Sequence, residues 1–321
     1  MDSEVAKNTC NYRSLRVSLL DNYAAIKPLL QQQLSIAITL MGCNACDLSD
    51  MGIARDVPRA TDLPPEMIPV YRLSDHTAVL YRSAIALKIA PLWQLSVSDI
   101  ANQLVSSFLT INWDSADQIC LDFSIELLSS GWIDFRLNDQ GLATWLQHRI
   151  YAFAPPASPL PLLKSVSSDN FFPLQYAHAR CCSLLGLAHT QGLIELTDLD
   201  FNTVNWQLVE PNPIPWLNDD EGGDTTQLRL RLVHPAEQRL IAQILDVQDV
   251  MSEQSQRSAV KLATALSKAF EKFYSHCRIW GEVKSQTPKL AQARLGLVLL
   301  TQTLLRSLLE DYLAVPAPVE L

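Results

Sequence analysis

Apolar residues recur at helical intervals along most of this chain, and one stretch changes period. Leu15, Leu19, Leu20, Tyr23 and Ile26 stand one to four residues apart within Tyr12 to Met41, which predicts a helix that Pro28 kinks or restarts. Gly42 to Gly52 and Ala54 to Pro69 then gather Gly, Asp and Pro as loops do. Tyr81 to Ala90 and Ser98 to Leu109 predict two further helices, with Ser98 placed to cap the second. Between Cys120 and Leu137 the period becomes two. Leu121, Phe123, Ile125 and Leu127 alternate with polar residues, Ser129, Ser130 and Gly131 make a turn, and Ile133, Phe135 and Leu137 alternate again, which predicts a β-hairpin.

Past Trp145 the prolines Pro155, Pro156, Pro159 and Pro161 stand among serines and predict a semi-rigid linker over residues 151–170. Helical patterns return near Leu174 to Thr190, His234 to Val250, Gln254 to Trp280 and Lys289 to Leu313, broken by a Pro- and Asp-rich insertion from Glu210 to Asp224. The chain is therefore expected to be mainly α, with a small α+β N-terminal domain over 1–150, the linker over 151–170, and a C-terminal helical bundle over 171–321.

The segment Ser255 to Trp280 is the most strongly amphipathic. Arg257, Lys261, Lys268 and Lys272 fall within roughly 60° of one another on a helix, opposite an apolar stripe of Leu262, Leu266, Ala269 and Phe273. Such a stripe is either a solvated face or a binding face for a polyanion. The chain carries a formal net charge of −9, which by itself argues against a nucleic-acid partner. The distribution argues the other way. From Ser255 to Arg306 nine cations face only two acids, Glu271 and Glu282, while the acids gather elsewhere, as at Asp219, Asp220, Glu221 and Asp224.

Composition narrows the class further. With 321 residues, 48% of them hydrophobic and 18% charged, the chain can bury two cores and is not a disordered one. No apolar run is long enough to span a membrane, and the first residues do not form a secretion signal, so a cytoplasmic protein is expected. The seven cysteines are odd in number and scattered, and Cys181 and Cys182 are adjacent, which speaks against a disulfide framework. Cys43 and Cys46 form one CxxC, but no second pair at ligand spacing accompanies it, so no metal is expected.

Two motifs carry a family resemblance. Phe171 to Leu185 (FFPLQYAHARCCSLL) contains QYAHAR at Gln175 to Arg180. Phe270 to Glu282 (FEKFYSHCRIWGE) is followed by Ala293 to Pro318, with an aromatic pair, a Cys-Arg pair, an Arg-Leu opening the next helix and a late Pro. In this order they resemble the DALR anticodon-binding domain that closes arginyl-tRNA synthetases. Upstream, the hairpin's Gly131, Trp132, Ile133, Asp134 and Phe135 resemble the GFINF-like stretch of that family's N-terminal additional domain. The resemblance implies a C-terminal bundle of the DALR type that meets an anticodon arm, and an N-terminal domain that meets the tRNA elbow through Trp132 and residue 134. The family's Asn is Asp134 here, and a carboxylate accepts hydrogen bonds but does not donate them.

The same comparison exposes what is missing. Between the two resembling parts a complete synthetase carries its nucleotide-binding catalytic domain, whereas about twenty residues here cannot hold even one βαβ unit of roughly 30. HxGH, KMSK, a Gly-rich phosphate loop, GxSxG and HExxH are all absent from the sequence. No cofactor and no catalysis are expected.

Two functions remain open. One is a non-catalytic tRNA-binding paralogue of arginyl-tRNA synthetase, directed at arginine tRNA, in which Tyr176 stacks on a base while Arg180, Arg278, Arg257, Lys261, Lys268 and Lys272 hold phosphates and Trp132 and Asp134 face the elbow. The other is a synthetase-derived protein-interaction module without RNA, a complete synthetase being one possible partner. Tyr176 and Trp132 each have a bland alternative, as a core tyrosine of the bundle and as a hairpin residue packed on helices.

Overall fold

The computed structural model describes residues 13–19, 25–47, 63–73, 78–110, 119–151, 171–197, 206–218, 228–252 and 259–321. The Pro-rich linker, Arg257 and the acidic run from Asp219 to Asp224 lie outside the described residues. The chain divides into two compact units, Met1–Leu20 with Lys27–Gly141 and Asp21–Ile26 with Leu142–Leu321.

The first unit holds strand β1 (Arg13–Leu19), helix α1 (Ile26–Asp47), strands β2 (Val70–Arg72) and β3 (Val79–Ser83), helices α2 (Ile85–Trp93) and α3 (Val97–Thr110), and strands β4 (Ile119–Leu127) and β5 (Ile133–Leu137). The strands form one antiparallel sheet in the order β1-β4-β5-β3-β2. The expected hairpin is its centre, β4 pairing with β5 so that Phe123 stands opposite Leu137 and Ile125 opposite Phe135. Alternate residues Val79, Tyr81 and Ser83 of β3 are buried and those between them are not, the burial of a sheet with one covered face. Phe135 meets Phe108 of α3 with ring centroids 5.6 Å apart.

Leu15 and Leu19 belong to a strand, not a helix. A spacing of four satisfies period two as well as period 3.6, and the register of β1 on β4, Leu15 opposite Phe123 and Leu19 opposite Ile119, decides between them. The helix starts at Ile26, with Pro28 in its first turn, where a missing N–H leaves no hydrogen bond unmade. It continues to Asp47, so the CxxC of Cys43 and Cys46 is helical rather than looped. Tyr81 to Ser83, expected at the start of a helix, are the end of β3. The cap of α3 is Ser96, two residues before Ser98. Its Oγ accepts from the Asp99 N–H at 3.0 Å and donates to the Asp99 carboxylate at 2.6 Å.

In the second unit, the last ten residues of helix α4 (Asp139–Tyr151) are followed by α5 (Phe172–Thr190), the two-stranded β6 (Glu195–Leu196) and β7 (Leu208–Glu210), α6 (Pro235–Ser252), α7 (Ala259–His276), the short α8 (Glu282–Gln286) and α9 (Pro288–Ser307). A π turn over Leu308–Tyr312 ends α9. The expected helical bundle is thus present. From Ala293 to Gln302 every residue of α9 is buried, so α9 is the central helix, with α5, α6, α7 and α8 against it. The described part of the expected insertion contributes two residues to the core. Ile214 and Trp216 are buried on Gly296 of α9, and both bind Gln147 of α4, whose Oε1 accepts from the Ile214 N–H at 2.9 Å and the Trp216 Nε1–H at 2.8 Å.

Gly131 has φ +83°, and a Cβ placed there would lie 2.1 Å from Val97 Cγ1. Gly131→Ala is expected to lower stability by about 1–3 kcal/mol through the left-handed backbone and the clash together, read as a lower urea midpoint with an unchanged slope.

Candidate nucleic-acid interface

Helix α5 is built so that one face packs, one is strapped, and one is displayed. Pro173 stands in its first turn, where its fixed φ suits helix initiation. Leu174, Ala177, Cys181, Leu184, Leu185 and Ala188 fill the core side. Phe172, Tyr176 and Arg180 follow at steps of four and therefore share another side. Phe172 and Tyr176 stack with ring centroids 6.2 Å apart and planes 26° apart, and Tyr176 is 50% exposed. It is not a core tyrosine.

Arg180 joins this row to α7. Its guanidinium lies 4.6 Å from the centroid of the Tyr274 ring, and its Nη2–H donates to the Tyr274 hydroxyl. Tyr274, 39% exposed, rests in turn on buried Phe270, centroids 6.3 Å apart and planes at 26°. Phe172, Tyr176, Arg180 and Tyr274 thus present a run of flat π-surfaces with one cation among them, an arrangement suited to stacking unpaired bases. Phe172 and Tyr274 escaped the sequence reading as site residues. The four-residue step from Phe172 to Tyr176 was the available signal for the first, whereas only the packing of α5 on α7 reveals the second.

Other residues of the same motif hold the structure together. Gln175 Nε2 donates to the Pro316 carbonyl at 3.0 Å, and the fully buried His178 donates from Nδ1 to the Pro318 carbonyl at 2.8 Å. His178 Nε2 accepts from Gln302 Nε2 of α9 at 2.9 Å, which fixes a neutral ring with its proton on Nδ1. Arg294, expected to open a helix but standing in the second turn of α9, is buried against Glu237 of α6 at 2.6 Å and also donates to the Arg278 carbonyl.

The basic stripe occupies a different surface. Lys261, Lys268 and Lys272 are exposed on α7, while Leu266, Ala269 and Phe273 are buried opposite and Leu262 half-buried. The three lysines stand roughly 120–160° around α7 from Tyr274, so they do not flank the aromatic row. Arg278 is exposed just beyond α7. Of the nine cations in this stretch, Arg294 is spent inside the bundle, Arg306 pairs with Glu310 at 2.9 Å, and Lys284 donates to Gln191.

In the first unit Asp134 is buried and both its oxygens are engaged. Arg82, its cross-strand neighbour on β3, donates from Nε to Oδ1 and from Nη2 to Oδ2, each at 2.7 Å. The Arg82 guanidinium lies 5.9 Å from the half-buried Trp132 ring, and the hydrogen bonds to Asp134 raise its pKa. Position 134 therefore anchors an arginine beside Trp132 in the place where the resemblance implies an amide.

The described cysteines are not poised as nucleophiles. Cys277 Sγ approaches His234 Nδ1 at 3.4 Å, but that nitrogen accepts from the Ala236 N–H at 3.1 Å, and burial pushes the Cys277 thiol up to about 11. Burial likewise pushes Cys182 to about 12 and Cys181 well above its ordinary value. Thiols at such values stay protonated near neutral pH and are poor nucleophiles. No group of three His, Cys, Asp or Glu side chains among the described residues is placed to hold a metal ion, and no described helix is long and apolar enough to cross a membrane.

Residues 174–321 match the DALR anticodon binding domain, and the second unit is a helical bundle of that type. The C-terminal half is similar to arginine–tRNA ligases, at 32% identity over 145 residues to that of a Synechococcus species, 32% over 165 residues to that of Moorella thermoacetica and 34% over 155 residues to that of Heliobacterium modesticaldum. These alignments take in 45%, 50% and 47% of this chain but only 21%, 24% and 23% of the respective ligases. No solved structure matches the chain.

Burial lowers the pKa of His178 below the ordinary 6.5, against the opposing effects of the Pro318 carbonyl and Glu310 and with Arg306 adding to the lowering. The unfolded chain therefore takes up this proton at higher pH than the folded one. The stability contributed by neutral His178 is present above pH 6.5 and is lost as pH falls through the lower folded value. Thermal unfolding at pH 7, 6 and 5 is expected to show this loss, and His178→Asn, which cannot titrate, is expected to show a smaller one.

Proposed function

We propose that this chain is a non-catalytic tRNA-binding protein related to arginyl-tRNA synthetases and directed at arginine tRNA in the cytoplasm. The observation that carries this reading is the exposed row of Phe172, Tyr176, Arg180 and Tyr274 on a bundle of the anticodon-binding type. Bases of an anticodon loop stack on the aromatic rings, and Arg180 and Arg278 meet phosphates. The lysine stripe, with Arg257, forms a second contact with the RNA backbone, consistent with a local excess of cations on an acidic protein. The N-terminal domain acts at the elbow, with Trp132 stacking on a base and Asp134 holding Arg82 toward the RNA.

The relatives' similarity is confined to the anticodon-binding part, which supports binding without aminoacylation. Purified protein free of host synthetase is expected to give no arginine-dependent pyrophosphate exchange and no charging of tRNA. Exchange above the level of a mock purification overturns the non-catalytic reading.

Binding is tested by titrating labelled arginine tRNA at several salt concentrations. Tyr176→Ala is expected to weaken binding by about 1–3 kcal/mol with little change in salt slope, because stacking releases no counterion. A triple Glu variant of Lys261, Lys268 and Lys272 is expected to lower the slope of log affinity against log salt by at least about 2 while leaving the preferred tRNA unchanged. If wild type and both variants bind equally weakly with one slope, the RNA reading fails. A protein-interaction module, which the net charge of −9 would suit, then takes its place.

A further inference from the structure

The row of π-surfaces on α5 lies between two walls. On one side stands α7, through Tyr274 and Arg180. On the other, counted around the helix, stand Gln175 and His178, about 60° apart and both turned to the segment Val315 to Pro318. That segment forms no regular element. Among the described residues it is held by the bond from the Val315 N–H to the Leu309 carbonyl at 2.8 Å and by the two bonds that Gln175 and His178 donate to its carbonyls. Because His178 is also held by Gln302, a single buried imidazole fixes the segment, α5 and α9 together. Gln175 and His178 lie on either side of Tyr176 in sequence, so the turn that displays Tyr176 is the turn that is stitched down.

We propose that the segment Val315 to Pro318 is a positioning strap. Through the side chains of Gln175 and His178 it holds the first two turns of α5 in the orientation in which Phe172 and Tyr176 meet the RNA. Gln175 and His178 are positioning residues, and neither needs to touch the RNA. The strap works through its carbonyls, so the side chains of Val315, Pro316 and Pro318 are free to vary. This rests on the RNA-binding reading of Tyr176 given above.

The two ring nitrogens of His178 allow the strap to be separated from the core. Asn places its amide N–H where Nδ1 stands and keeps the bond to Pro318, whereas Gln places it where Nε2 stands and gives that bond up. Gln175 is only half-buried, so Gln175→Ala is the variant expected to fold in any case. Two quantities are measured on the whole chain: hydrogen exchange at the Val315 amide, and affinity for a labelled arginine-tRNA transcript. Gln175→Ala and His178→Gln are expected to speed Val315 exchange and to weaken binding about three- to tenfold with the salt slope unchanged, the size of one or two lost hydrogen bonds to backbone. His178→Asn is expected to stay near wild type in both. Faster exchange with unchanged affinity in Gln175→Ala and His178→Gln overturns the proposal, because the segment is then structural only. Unchanged exchange in both also overturns it, because the two bonds then do not hold the segment. Binding lost in Tyr176→Ala but kept in both strap variants sinks the strap alone, while binding indifferent to Tyr176→Ala removes the RNA reading and the strap with it.

Discussion

Helix α9 is buried on nearly every side, and that constraint organises the second unit. From Ala293 to Gln302 the helix cannot leave a polar side chain to water, so each one in that stretch needs a partner inside the protein. Arg294 has Glu237 and the Arg278 carbonyl, Gln302 has His178, and Thr301 turns its hydroxyl to the Leu297 carbonyl one turn back. Removing one member of a buried ion pair typically costs about 3–5 kcal/mol, because the other charge is left without compensation. Glu237 is itself tied by accepting the His234 N–H at 2.8 Å, so the start of α6, the end of α7 and the start of α9 meet at one ion pair.

Helices α5, α6, α7 and α9 were legible in the sequence because their apolar period persists over many residues, whereas α4 and the five-residue α8 were not. Less was legible where two periods coincide or where a partner is distant. Leu15 and Leu19 fit a helix as well as a strand until β4 supplies the pairing. Strands β2 and β3 are three and five residues long, too short for alternation to stand out. The segment after Glu210 reads as an insertion because its prolines and acids are local and visible, whereas Gly296 and Gln147, which bury Ile214 and Trp216, lie some 80 and 70 residues away in the chain.

Charge was the least legible property. Counting cations from Ser255 to Arg306 treats them as one surface, but the fold sorts six of the nine into three groups. Arg294 sits inside, Arg306 and Lys284 are engaged at the surface, and Lys261, Lys268 and Lys272 form a face set apart from Arg180. The acid at 134 shows the reverse. In sequence it looks like a repulsive substitution in an RNA-facing motif. In the sheet, the register of β3 on β5 sets Arg82 opposite it, and the pair presents a guanidinium beside Trp132 in place of a bare carboxylate.

The motif QYAHAR therefore carries two kinds of information that a sequence match does not separate. Gln175 and His178 bind backbone carbonyls, and Ala177 and Ala179 are buried where a larger side chain would need new space. These four serve the packing of the bundle, and any chain keeping the bundle has reason to keep them whether or not it binds RNA. Tyr176 and Arg180 are the members that face outward, and nothing in the packing of α5 requires an aromatic ring half exposed to water at position 176. A bundle kept only as a scaffold has no physical reason to hold Phe172 and Tyr176 stacked in solvent, where burying neither ring leaves the hydrophobic gain unrealised. It is this exposed pair, rather than the match over the whole motif, that favours a binding surface over an inherited scaffold.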